Sequence, residues 1–172
     1  KTQTLFRKGS KVAENVNISG HLTAKGNINI GGSSTGTEAF AGTMDEMRMF
    51  NNALDTDIIS KTFNEPLTAD HFCDDVGSCT VLGLVTSLTF DDTDNLGRDY
   101  SGRANVGAVS ASPIVASVRT GAVMFEDNVM SKITMDTTAV SDTTTLSTTG
   151  DFSVQVWSKR YASRRNDPLV SQ

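Results

Sequence analysis

The chain is short of the residues that most chemistry needs. Its 172 residues include two histidines, two cysteines and one tryptophan, and aromatic residues make up only 6%. Positive charge is also scarce: 15 Lys and Arg stand against 20 Asp and Glu, for a net charge of −5. That balance argues against nucleic acid or an anionic membrane as partner, because both require a basic face. No apolar run approaches the roughly 20 residues of a membrane-spanning helix. No secretory signal stands at Lys1, so the sequence reads as a mature or internal piece. Its length suits one domain of ordinary size or two small ones.

The scarce residues are themselves placed unpromisingly for catalysis. His21 and His71 lie in polar segments, with no serine elbow, cysteine or Glu-x-x-His context beside them, and read as solvated loop histidines. Cys73 and Cys79 have five residues between them. Neither a Cys-x-x-Cys spacing nor a second ligand pair supports a metal or redox role. A small disulfide loop in an oxidising compartment is the preferred reading. Asn17-Ile18-Ser19 is an acceptor sequon for N-glycosylation in a polar, turn-like segment. Together with an abundance of Ser, Thr, Gly and Asn, these features give the look of an extracellular β-rich chain.

The stretch from Phe40 to Ile59 organises the rest. A period of two places Thr43, Asp45, Met47 and Met49 on one side of a strand, and Met44, Glu46, Arg48 and Phe50 on the other. Asn51-Asn52 is a turn signal. Asp55 to Ile59 reads as one short helical turn capped by Asp55 or Thr56, and Pro66 closes that region. The stretch resembles the closing strand of laminin-G-like and pentraxin-like domains, which runs F-x-G-x-(I/M)-D-E-(V/M)-R-(I/M)-(Y/F)-N-x-A-L. Upstream, Leu5 to Gly9 takes the place of that family's hairpin, with Arg7-Lys8 departing from the usual Val-Asp, and Asn27 to Gly32 resembles its L-x-I-G strand.

Downstream, the likeness resumes at the opposite end of the same fold. Leu84 to Asp92 is similar to the opening strand, and Asp99 to Gly107 to D-x-S-G-x-x-N-x-G. Arg119 to Glu126 is similar to x-x-G-A-x-x-F-(D/E), and Lys132 to Met135 is a further short strand. Gly150 to Lys159 is similar to x-D-F-S-(V/I)-x-(V/A)-W-x-K, and Pro168 to Gln172 to the strand after it. In the Gly150 to Lys159 strand the inward set is Phe152, Val154 and Val156, or the other register with Trp157, for which core packing is expected.

The resemblance implies an all-β fold: antiparallel jelly-roll β-sandwiches of the concanavalin A-like, laminin-G-like type. It divides the chain into the C-terminal half of one sandwich (1–66), a linker with the Cys73–Cys79 loop (67–83) and the N-terminal half of a second (84–172). A half sandwich leaves strand edges bare. The leading explanation is an internal segment of a tandem array. The others are a permuted sandwich, or halves completed by neighbouring chains.

For function, the resemblance implies a non-enzymatic extracellular adhesion or structural module. It would bind glycans or proteins, or assemble with copies of itself or neighbouring repeats. The alternative is an accessory carbohydrate-binding domain of a secreted hydrolase. Ca2+ is the cofactor to consider, since it takes hard oxygens from loops. Asn166 and Asp167 resemble the pentraxin Asp-Asn ligand pair in place and type. A second cluster is Asp91 and Asp92, with Asp94, Asp99 and Asn105. The competing reading of this cluster is a solvated acidic loop with Asx turns. The carboxylate neighbours Asp91-Asp92, Asp45-Glu46 and Glu126-Asp127 fall on opposite faces by alternation, which does not suit a glycosidase pair.

Overall fold

Strand formation follows the apolar segments, and the central one runs from Gly42 to Phe50 (β4). The structure, a computed structural model, describes residues 2–16, 27–33, 39–64, 83–102, 105, 107–110, 114–116, 121–125, 131–135, 151–161 and 170–171. Before β4 come Thr2–Arg7 (β1), Ser10–Val16 (β2) and Ile28–Ile30 (β3). After it come a helix, Thr56–Asn64 (α1), and then Leu84–Leu88 (β5), Gly107–Ser110 (β6) and Ile114–Ala116 (β7). Ala122–Phe125 (β8), Lys132–Met135 (β9), Ser153–Arg160 (β10) and Val170–Ser171 (β11) complete the order. Every described strand pairing is antiparallel.

The strands form three sheets. β1 and β2 make a hairpin whose two-residue turn, Lys8-Gly9, has positive φ at both positions, as a type I′ turn requires. A five-stranded sheet has the order β10-β4-β8-β7, with β5 also paired to β4. A four-stranded sheet has the order β11-β3-β9-β6. Strands from before and after residues 65–82 lie side by side in both larger sheets, since β4 pairs with β5, β8 and β10, and β3 with β9 and β11.

One apolar cluster lies between the two larger sheets. Ile28, Ile30, Ile133 and Met135 enter it from the four-stranded sheet; Met44, Met47, Met49, Leu88, Val123 and Phe125 enter from the five-stranded one. Burying a side chain of this size contributes about 1.5–3 kcal/mol. Phe40 meets Phe125 edge-on, with centroids 6.5 Å apart. Gly31 makes this packing possible. Its φ is +82°, and a Cβ there would overlap the Phe125 ring.

Simple alternation fails inside β4. Met44 belongs to the same core cluster as Met47 and Met49, not to the opposite face. The reason is a β-bulge. Gln155 pairs with Arg48 and Trp157 with Asp45, so Val156 alone stands opposite Glu46 and Met47. Glu46 takes φ +51°, unusual for a residue with a side chain, and the extra residue resets which positions face the core.

The helix is also longer than the single turn expected. The Ile59 N–H donates to the Asp55 carbonyl, and the helix then continues to Asn64. Asp57 in its first turn and Lys61 in its last both suit the helix dipole. The Asn51-Asn52 corner ties three segments together. The Asn51 N–H donates to the Gly83 carbonyl at 2.8 Å, while Ser153 Oγ donates to the Asn52 carbonyl and accepts from the Leu54 N–H, both at 2.9 Å.

Candidate functional site

The two long strands flanking β4 end their hydrogen-bond ladders differently. On β5, the edge away from β4 is closed by the segment from Asp99 to Asn105. Asp99 Oδ1 accepts from the backbone N–H groups of Ser87 and Ser101, each at 2.9 Å. Asp99 Oδ2 accepts from the Ser101 hydroxyl at 2.7 Å and the Asn105 N–H at 2.9 Å. Ser101 Oγ and Asn105 Nδ2 both reach the Val85 carbonyl, and the Tyr100 N–H donates to the Ser87 carbonyl. Side chains thus satisfy backbone groups that would otherwise need another strand.

β10 has no such closure among the described residues. It is eight residues long and stands at the end of its sheet. The other end strands of the two larger sheets are shorter, at three (β7), two (β11) and four (β6) residues. Phe152, Val154, Trp157 and Tyr161, all on or beside β10, are four of the nine exposed large hydrophobic residues described; three others lie on the β1–β2 hairpin.

Trp157 therefore departs from the core placement expected of it. It is 39% exposed, and its ring stacks on Phe63 of α1 with centroids 5.1 Å apart. Neighbouring Gln155 donates from Nε2 to Thr62 Oγ1 at 2.8 Å. The helix thus covers part of the sheet face opposite the core. Of the expected inward set, Val156 packs against the core, whereas Phe152 and Val154 are exposed. An edge strand has one side of its ladder open, and its end residues project past the neighbouring sheet.

The bulge carries a charge pair with a buried cation. Arg48 and Glu46 form an ion pair in which the guanidinium side chain is only 5% exposed. Burial pushes the Glu46 carboxyl above its ordinary range; Arg48 opposes this, and Asp45 and Asp91 add to the upward push. Burial likewise lowers the Arg48 pKa, with Glu46 and Asp45 opposing.

The candidate calcium residues separate into different roles. Asp92 Oδ1 accepts from the Asp94 and Asn95 N–H groups at 3.2 Å each, and its Oδ2 pairs with Arg98 at 3.2 Å, an Asx-turn arrangement. Asp91 is exposed and lies against Gly121. Asp99 and Asn105 serve the β5 closure. Among the described residues, no group of three His, Cys, Asp or Glu side chains is disposed to hold a metal ion. Asn166, Asp167, Cys73, Cys79, Asn17, His21 and His71 lie outside the described residues.

The β10 edge was not read from the sequence as a site. Its signal is the basic pair Lys159-Arg160 at the end of the strand, since charge is a common mark of edge strands. No family model matches this chain, and no curated protein or solved structure matches it. Among the described residues no helix is long and apolar enough to cross a membrane.

Proposed function

We propose that this chain is a non-enzymatic extracellular adhesion or structural module, a jelly-roll β-sandwich of laminin-G-like type, that holds a protein partner along β10. The observation that carries this reading is the eight-residue edge, unclosed among the described residues, with Phe152, Val154, Trp157 and Tyr161 exposed on or beside it. An open edge offers backbone donors and acceptors to an incoming strand, and apolar side chains beside it add affinity. The contrast with β5 supports the same reading, because that edge is sealed by Asp99, Ser101 and Asn105.

A glycan-binding site is the second reading, and the surroundings of the exposed rings favour protein. Sugar platforms need an open ring face, and Lys159 Nζ already stands over the Tyr161 ring, 5.9 Å from its centre, while Phe63 stacks on Trp157. The mixing of strands from both sides of residues 65–82 supports a permuted sandwich.

The test uses the sole tryptophan as reporter. The chain is added to surfaces coated with reconstituted extracellular matrix or with heparin, and bound protein and Trp157 emission are measured. Binding to matrix with a blue shift, lost when Phe152, Val154 and Tyr161 are all changed to Ser, supports the proposal. Binding to heparin alone, or matrix binding indifferent to those substitutions, overturns it.

A further inference from the structure

We infer that the partner at β10 is a second copy of this chain, paired antiparallel about a two-fold axis at Gln155; this rests on β10 being the contact edge. A two-fold axis perpendicular to a sheet keeps core-facing residues opposite core-facing residues. On β10 Val156 packs against the core and Val154 shares its face by alternation, while Ser153, Gln155, Trp157 and Lys159 form the opposite set. Asp151, two residues before the strand, falls in register with that opposite set when the strand is extended by a second copy. Only registers that differ by two residues are then allowed.

With the axis at Gln155, Asp151 meets Lys159 of the second copy, and symmetry makes the same pair twice. Both side chains are exposed in the single chain. Val154 meets Val156, also twice, which covers an apolar side chain now in water. Ser153 meets Trp157, so the smallest residue of its face lies opposite the largest. Moving the axis to Val156 sets Asp151 opposite Tyr161 and Phe152 opposite Arg160. Moving it to Val154 sets Asp151 opposite Trp157 and leaves Lys159 beyond the paired segment. The Gln155 register alone satisfies both the charges and the valines.

The charge order also selects a copy over an unrelated protein. An acid just before the strand and bases at its far end are self-complementary only when the strand meets itself antiparallel. The chain's net charge of −5 opposes association at long range, so moderate salt leaves the contact intact.

Light scattering and sedimentation over roughly 1–200 µM test this through mass action. Wild type is expected to rise from 18.4 kDa towards twice that mass. Asp151→Lys and Lys159→Asp each replace two attractive pairs by two repulsive ones and are expected to weaken association about tenfold or more. The double variant D151K/K159D restores the attraction and is expected to return association to within about threefold of wild type. Circular dichroism confirms that each variant is folded, and both positions are exposed. A wild-type mass fixed at 18.4 kDa overturns the inference, as does a double variant no better than the singles. If the chain stays single but Trp157 emission still shifts on matrix, the second-copy inference falls and the adhesion reading stands. If emission moves in neither setting, both fall.

Discussion

The Phe63 ring stacks on Trp157 with centroids 5.1 Å apart and planes 21° from parallel, and so joins the helix to the open edge strand. An aromatic pair of this kind is worth about 0.5–1.5 kcal/mol beyond its buried area. A double-mutant cycle of Phe63→Ala and Trp157→Ala, read by urea unfolding, is expected to give a coupling of about 1 kcal/mol. Phe63→Ala alone should also shift Trp157 emission to the red, because one face of the indole then meets water. No coupling and no shift would mean that the helix does not pack on β10.

Asp99 is the hub of the β5 closure, with four hydrogen bonds to its two carboxylate oxygens. Bonds to a charged acceptor contribute about 1.5–3 kcal/mol each, and buried donors left unmade cost more than the bond returned. Asp99→Ala is therefore expected to lose about 3 kcal/mol or more in chemical denaturation. Asp99→Asn, which keeps one acceptor oxygen, should lose less. Asn105→Ala should fall between them, since it leaves the Val85 carbonyl with only the Ser101 hydroxyl, whose single proton is shared with Asp99. Equal losses for Asp99→Ala and Asp99→Asn would contradict the acceptor role.

Glu46 gives the fold a definite pH dependence. Its carboxyl is raised in the folded chain above its ordinary value of 4.5, chiefly by burial. The folded state then binds a proton more tightly than the unfolded chain. Glu46's contribution to stability is full below 4.5 and is lost as pH rises through the raised folded value. In Glu46→Gln this slope should disappear from stability measured as a function of pH. An unchanged slope in the variant would assign it to another group.

Gly31→Ala should be strongly destabilising, by about 2–4 kcal/mol, because it combines a positive φ with overlap on a buried ring. The loss should shrink when Phe125→Ala is present, since the overlap partner is gone while the backbone strain remains. Thermal unfolding of the two single variants and the double one measures the difference.

Much of the strand layout was legible from the resemblance, and in β4 from alternation as well. β3, β4, β5, β8, β9, β10 and β11 all fall within segments read as strands, and the β1–β2 hairpin turns within the Leu5 to Gly9 segment that resembles the family's hairpin. The bulge at Glu46 was not legible, because nothing in Asp45-Glu46-Met47 marks a positive φ; it follows from packing Met44 and Met47 into one core. The exposure of Trp157 was hidden for a related reason. A strand with Phe, Val and Trp reads as core, and only the sheet order makes β10 an edge. The helix was cut short because Lys61 to Asn64 are mostly polar, yet Thr62 is buried and accepts from Gln155. Asp99, Ser101 and Asn105 stood out as a spaced set, but their shared target on β5 required the fold.

Residue-resolved amide exchange along β10, at low and high protein concentration, bears most directly on the open edge. In dilute solution the outward amides of Val154, Val156 and Ser158 should exchange rapidly, while those bonded to β4 stay protected. At high concentration the fast set should become protected as the second copy adds its strand. Uniform protection in dilute solution would show that the edge is already closed, and would contradict β10 as the contact strand.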